Sequence, residues 1–219
     1  MTLLHDLGFA VIRSMSVSDM NNNVYLVTSR ASGAQVLIDA ANDWPAIEGM
    51  LDDAREDAEV ATSVRAIVTT HQHRDHIGAL AEAGRATGAP LLAGADDADA
   101  IEEHTGVAID RRLSHGDTVG VDGLSFGVVH LRGHTPGSVA LVLDDTSGST
   151  HLFTGDSLFP GGVGNTWGDA KRFEQLFTDV SERLFGAFDD DTHVHPGHGA
   201  GTTLGAERPH LGEWRARGW

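Results

Sequence analysis

Three imidazoles and a carboxylate stand within the six residues His71-Gln72-His73-Arg74-Asp75-His76, directly after the apolar, β-branched run Val64 to Thr69. Neutral imidazole nitrogen and carboxylate oxygen are the donors that a borderline cation such as zinc takes in mixed sets, so this density points to metal chemistry rather than to a solvated loop. In an extended or loop conformation alternate side chains share a side, which lets His71 and His73 reach one ion together and displaces Asp75 and His76 toward a neighbouring point. One loop can thus seed two adjacent sites. Further donors stand where strands are expected to end: His134 in Gly133-His134-Thr135-Pro136-Gly137-Ser138, Asp156 in Phe153-Thr154-Gly155-Asp156-Ser157, and His198 in His195-Pro196-Gly197-His198-Gly199. Each is flanked by glycine, which allows the sharp turns and close approaches that ligand-bearing loops need.

These donors need a scaffold, and the chain reads as strands alternating with helices. Runs at Phe9 to Ser14, Val24 to Thr28 and Gln35 to Ile38, parted by polar segments, predict an opening antiparallel meander. Asp43-Trp44-Pro45 then caps a helix with Ile47, Met50, Leu51 and Ala54 on one face. Val64 to Thr69 is a predicted strand, Ile77 to Thr87 a helix, Pro90 to Ala93 a short strand and Asp96 to His104 an acidic helix. Leu124 to Leu131, Ser138 to Leu143 and His151 to Thr154 read as strands. Phe173, Leu176, Phe177, Val180 and Leu184 form one helical stripe, and Thr192 to His195 a last strand. Two strand-rich halves, each with helices, predict layered sheets covered on the outside. No low-complexity tract or linker marks a boundary, so a single domain over residues 1–219 is expected.

Composition removes several function classes. With 15 basic against 32 acidic residues the formal charge is -17, which repels phosphate backbones and anionic membranes; neither nucleic acid nor membrane is an expected partner. The chain has no cysteine, so disulfides, thiolate ligands and a cysteine nucleophile are excluded, and any metal site is built from N and O donors. The first residues hold no basic stretch followed by an apolar core, and nowhere do eighteen apolar residues run together, which predicts a cytoplasmic protein. Taken singly, Asp75 is also a plausible helix cap, Asp39 a strand end and His198 a surface loop residue. His5, His104, His115, His130, His151, His193, His195 and His210 fall outside the motifs and default to structural or exposed roles, and Asp189-Asp190-Asp191 reads as a solvated turn.

The order of the motifs resembles the metallo-β-lactamase superfamily, whose pattern pairs a His-x-His-x-Asp-His loop with a later His, Asp and His; the match spans nearly the whole chain. Within it, Gly133 to Ser138 and Phe153 to Phe159 are most similar to the glyoxalase II branch, the hydroxyacylglutathione hydrolases. The resemblance implies an α/β architecture, an αββα sandwich of two mixed β-sheets flanked by helices, with a metal site along one edge. It implies two divalent ions, zinc foremost, with iron or manganese suited to the same donors. His71, His73 and His134 would bind the first ion, Asp75, His76 and His198 the second, and Asp156 would bridge them. Asp39, after Val36-Leu37-Ile38, matches an early aspartate that orients a ligand. Two cations about 3.5 to 4 Å apart share a water and lower its pKa toward about 7. The implied reaction is attack of that metal-bound hydroxide, with Asp75 and Asp156 beside it, on a small-molecule thioester or ester. A thiol of pKa about 8.5 leaves readily as its anion. Ser138 and Ser157 are then hydrogen bonders rather than nucleophiles.

The chain also departs from that pattern. The family continues after the ligand aspartate with Gly-Cys-Gly and a basic residue that helps hold the thiol's carboxylate; here the run is Gly162-Val163-Gly164-Asn165-Thr166-Trp167. The chain ends at Trp219, before any separate helical C-terminal domain of the kind that contacts glutathione in longer hydrolases, and Thr202 to Pro209 resembles the ending of shorter bacterial ones. A thiol other than glutathione is therefore a reasonable expectation, with Lys171, Arg172 and Arg208 as remaining cations, although Arg208 more simply pairs with a neighbouring acid. Two other activities share the donors. A persulfide dioxygenase would use one iron on His71, His134 and Asp156. A lactonase would use all seven ligands, but the only tyrosine, Tyr25, lies in an early strand. Trp214 and Trp219 in the tail are expected to dock on the chain's own core.

Overall fold

Alternation along the central strands gives each an apolar residue on both sides, and this divides the interior into three layers of side chains. The computed structural model describes residues 1–145 and 148–218. Its strands are β1 (Thr2–Asp6), β2 (Ala10–Val17), β3 (Asn22–Ser29), β4 (Ala34–Ile38), β5 (Ser63–Thr69), β6 (Leu91–Gly94), β7 (Arg111–Leu113), β8 (Thr118–Val121), β9 (Leu124–His130), β10 (Val139–Asp144), β11 (Thr150–Gly155), β12 (Leu158–Phe159), β13 (Gly162–Val163), β14 (His193–Pro196) and β15 (Thr202–Thr203). The helices are α1 (Trp44–Asp53), α2 (Arg74–Ile77), α3 (Leu80–Thr87), α4 (Ala95–Thr105), α5 (Ala170–Val180), α6 (Leu204–Glu207) and α7 (Leu211–Arg217).

Among the described residues, one sheet has seven strands in the order β1 to β7 and the other six in the order β15-β14-β11-β10-β9-β8. Both are mixed. The meander β1 to β4 is antiparallel and β4, β5, β6 and β7 run parallel, while in the second sheet only β11 and β14 are parallel. Each parallel pair needs a crossover, and α1, then α2 and α3, then α4 supply them in the first sheet.

In β3, Leu26 faces the helices with Ile47, Met50 and Ile101, whereas Tyr25 and Val27 face the second sheet with Phe126, Leu141 and Phe153. The far face of the second sheet packs Leu131, Val142 and Leu152 against Phe173, Leu176 and Val180 of α5 and Trp214 of α7. The result is the helix, sheet, sheet, helix layering expected from the sequence. Among the described residues no helix is long and apolar enough to cross a membrane.

Three local differences from the sequence reading have physical causes. The helix expected over Ile77 to Thr87 is two pieces, because the Gly78 and Ala79 N–H groups donate to the Ala41 and Ala40 carbonyls at 2.8 and 3.0 Å and leave the helical ladder. A side chain at Gly78 would strike the Ala41 carbonyl, which is why the break sits on a glycine. The α5 stripe widens into a π-turn over Ser181–Phe185 that still buries Leu184. Finally, β1, β7 and β8 are short and mostly exposed, so they carry no apolar alternation to read.

Trp214 is 1% exposed and meets Phe185 edge-on at 6.1 Å, so it docks on its own core as expected; Trp219 lies outside the described residues. Trp214→Ala is expected to lower unfolding free energy by about 3–5 kcal/mol. A urea or guanidinium midpoint that does not move would contradict this packing.

Candidate metal centre

Every donor singled out by the motifs lies just past a strand end at one edge of the two sheets. Asp39 follows β4, the His71 loop follows β5, Asp156 follows β11, His198 follows β14, and His134 lies between β9 and β10. Backbone hydrogen bonds fasten these loops, across the sheets from Val139 N–H to the Thr70 carbonyl at 2.9 Å and from Asn23 N–H to Gly197 at 2.7 Å, and within the second sheet from Gly197 N–H to Gly155 at 2.8 Å.

The side chains converge in two groups. In the first, His73 Nδ1 lies 3.0 Å from both His71 Nε2 and His134 Nε2. In the second, His198 Nε2 is 3.2 Å from His76 Nε2 and 3.2 Å from Asp75 Oδ2. The Asp156 carboxylate stands between them, Oδ2 being 3.6 Å from His134 Nε2 and 3.4 Å from His198 Nε2, and Oδ1 3.4 Å from His76 Nε2. His73 is extended, as read from the sequence, but Asp75 and His76 are presented by the single helical turn of α2.

In four of the five imidazoles one ring nitrogen is held by the protein, which leaves the other aimed at the centre. His76 Nδ1 meets Asp39 Oδ2 at 2.9 Å, His134 Nδ1 the Asn165 carbonyl at 2.9 Å, and His198 Nδ1 the Met20 carbonyl at 2.9 Å. Thr70 Oγ1 donates to Asp39 Oδ2 at 2.8 Å, so it accepts from His71 Nδ1 at 3.1 Å. Asp39 also accepts from Thr70 N–H at 2.7 Å, from a left-handed backbone (φ 56°) that aspartate tolerates better than most residues.

Asn165, where the family pattern has a basic residue, acts through its backbone carbonyl on His134. Ser138 hydrogen-bonds Thr135 as expected, whereas Ser157 Oγ is buried without a hydrogen-bond partner among the described residues. Arg208 pairs with Asp190 and donates to the Phe185 and Phe188 carbonyls, so it is structural.

The sequence reading missed Asp97 and Asn22 as positioning residues and took Arg172 for an anion contact, whereas it holds loop carbonyls. Asp97 is buried and accepts from Gln72 N–H at 2.9 Å, Thr135 Oγ1 at 2.6 Å and Gly137 N–H at 2.6 Å, tying the two histidine loops together; burial raises its pKa. It sits among Asp96 and Asp99 in an acidic helix, with nothing local to single it out. Asn22 donates Nδ2–H to Asp75 Oδ2 at 2.8 Å. Arg172 donates to the Gly133 carbonyl at 2.8 Å and to the His134 carbonyl, and its guanidinium lies 4.7 Å over Trp167. Trp167, 56% exposed, stacks on His134 at 5.3 Å. Beside the first group a cavity of about 610 Å³ is lined by Gln72, His73, Thr135, Trp167, Arg172 and Gln175 among others.

Protonation differs between the groups. Burial holds His71 and His73 below their ordinary value and His134 down to about 4, so these three are neutral and ready to ligate. Burial would also depress His76, but Asp39 and Asp156 outweigh it and raise it to about 10. The hydrogen bond to Asp156 raises His198, and His198 and His76 in turn keep the largely enclosed Asp156 ionised. A cation suits this arrangement on direct grounds. Asp156 Oδ1 is buried with no hydrogen-bond partner among the described residues, and Gly197 leaves open a cradle beside it, since a Cβ there would collide with Asp156 Oδ1 and His76. The donor set of imidazoles and carboxylates is that of a borderline divalent metal, and the His and Asp clusters are spaced to bind one.

A family model described as the metallo-beta-lactamase superfamily matches residues 17–199. The chain is 34% identical over 180 residues to a hydroxyacylglutathione hydrolase of Rhodopseudomonas palustris, covering 81% of this chain and 62% of that protein. It thus spans less than two thirds of that relative's length. Among solved structures it is similar to ETHE1 from Myxococcus xanthus, with a TM-score of 0.76 and 27% identity over 94% of this chain and 84% of that one. It is similar also to TTHA1623 in a di-iron-bound form, with a TM-score of 0.68 and 31% identity over 90% and 96%.

The raised His76 makes a signed prediction for metal-stripped protein. Its pKa is about 10 folded against 6.5 unfolded, so the charged pair with Asp39 contributes stability fully below pH 6.5 and loses it as pH rises through about 10. Denaturation midpoints should fall across that window, and Asp39→Asn should flatten the fall. Identical pH slopes for the two proteins would contradict the pairing.

Proposed function

The chain belongs to the metallo-beta-lactamase superfamily, and on that footing we propose that it is a hydrolase that uses two divalent ions, zinc foremost, to cleave the thioester of a small thiol. The observation that carries the reading is the Asp156 carboxylate placed within 3.6 Å of His134 and 3.4 Å of His198, one member of each donor group. His71, His73 and His134 would hold one ion, Asp75, His76 and His198 the other, and Asp156 both. The di-iron form of TTHA1623, 31% identical, supports the reading of two ions. Bound there, such ions supply Lewis acidity toward a carbonyl oxygen and lower the pKa of water toward about 7.

The remaining work falls to the chain's own groups. Burial works against the Asp75 charge, but the Asn22 hydrogen bond and the nearby charges of His76 and His198 outweigh it and keep the carboxylate ionised. Asp39 and the Asn165 and Met20 carbonyls fix the ring orientations that hold the donors in place without reorganisation. The cavity along Trp167 and Gln72 receives the substrate, with the Trp167 ring offering an apolar wall.

The leaving group can be argued from that cavity. Among the described residues that line it there is no carboxylic acid, and Tyr25 is buried and donates its hydroxyl to the Pro196 carbonyl at 2.7 Å. A departing alkoxide would want an acid there; a thiolate, with a thiol pKa of about 8.5, does not. This favours a thioester over a lactone, and the name of the Rhodopseudomonas relative supports it. Since Arg172 is committed to loop carbonyls and position 165 is asparagine, the thiol carrier need not be glutathione.

Elemental analysis paired with a thioester assay on S-lactoylglutathione and other acyl thiols tests the reading. About two ions per chain, loss of hydrolysis on chelation, recovery with zinc, and a fall in kcat/KM of about 10- to 100-fold in Asp39→Asn are expected. Full hydrolysis after metal removal would overturn it. One iron per chain with oxygen uptake on a persulfide would replace it by the dioxygenase reading, in which His71, His134 and Asp156 hold a single ion.

A further inference from the structure

Four histidines that match no ligand position gather away from the Asp156 centre. Strands β11 and β14 run parallel with His151 opposite His193 and Phe153 opposite His195. Residues paired in this way share a face, and alternation places His151, Phe153, His193 and His195 together on one side. Phe153 belongs to the core between the sheets, so that side faces inward. From the other sheet comes His5 on the edge strand β1, paired with Ile12, which packs in the same inter-sheet core. Its ring centroid lies 4.5 Å from that of His151, 4.6 Å from His193 and 5.4 Å from His195.

One ring nitrogen from each of His5, His151 and His195 lies within 4.8 Å of the others, and His151 Nδ1 is 3.0 Å from His195 Nε2. That 3.0 Å is the spacing His73 keeps to His71 and His134 in the first donor group. His151 and His195 are only 1% and 5% exposed. Pure packing would favour hydrocarbon at such positions, since a buried imidazole has two polar nitrogens to satisfy. Burial holds all three below the ordinary value, so they are neutral, and the His151–His195 hydrogen bond is one that an ion would replace with ligation. The cluster borders a cavity of about 430 Å³ lined also by Leu4, Ser14, His193 and Thr203, which gives an ion a way in.

We propose that His5, His151 and His195 form a second metal site, distinct from the Asp156 centre, which takes one late first-row divalent ion and leaves its fourth position to water or His193. Three imidazoles and no carboxylate select against calcium and magnesium, which take oxygen donors, and for zinc, nickel or copper. The bound ion joins the two sheets at their open edge, because His5 comes from one and His151 and His195 from the other. The proposal stands on residues that the hydrolase reading does not use, so either can fail without the other.

Equilibrium dialysis against micromolar free zinc, followed by elemental analysis, tests it in four proteins: wild type, His5→Gln, Asp156→Asn and the double variant. His5→Gln should bind about one zinc fewer per chain than wild type, and the double variant about one fewer than Asp156→Asn. Thioester turnover should be unchanged in His5→Gln. Equal zinc content with and without His5 in both backgrounds would overturn the proposal. Should His5→Gln not fold, imidazole ¹⁵N resonances of His151 and His195 in wild-type protein decide the matter: movement on adding zinc supports the site, and no movement overturns it.

Discussion

A carboxylate largely enclosed by imidazoles needs positive charge around it, and the remainder of this edge of the protein is arranged to meet that condition. Asp156 is largely enclosed, and its buried Oδ1 has no hydrogen-bond partner among the described residues. Burial alone would raise its pKa; His198 and His76 reverse the effect and keep it ionised. In the metal-free chain, Asp39 and Asp156 raise His76 and the hydrogen bond to Asp156 raises His198, so this half of the site favours positive charge where cations would supply it. The trio His71, His73 and His134 remains neutral, so the two halves of the site start from different protonation states and would release different numbers of protons on metal uptake.

The site exists only where the sheets meet. The seven-stranded sheet contributes Asp39 and the His71 to His76 loop, and the six-stranded sheet contributes His134, Asp156 and His198. Neither sheet holds a complete donor group, since His134 completes one and His198 the other. Cross-sheet bonds such as Val139 to Thr70, together with the Asp97 carboxylate that gathers Gln72, Thr135 and Gly137, set the separation of the two sets. Inter-sheet packing around Phe126, Leu141 and Phe153 therefore holds the two sets of His and Asp side chains against each other.

Much of this was legible in the sequence because the seven donors lie in short glycine-flanked segments after apolar strands, so residue type, spacing and element agreed. The layering was legible for a similar reason: β3, β4 and β5 alternate between two apolar faces. What could not be read depends on distant contacts. Asp97 is one of three nearby aspartates, distinguished only by the loops it meets. The break at Gly78 follows from two N–H groups that find carbonyls in another element. His195, read as structural or exposed, is buried against His151 through the register of two strands more than forty residues apart, and His5 joins them through the placement of an edge strand that carries no apolar pattern.

On the proposed reading, Asp156 would join two cation positions. Crystals grown with zinc, measured on both sides of its absorption edge, test it most directly. The account predicts two anomalous peaks about 3.5 to 4 Å apart, one among His71, His73 and His134, the other among Asp75, His76 and His198, with Asp156 reaching both. A single peak held by His71, His134 and Asp156, with Asp75 and His198 left unligated, would contradict it.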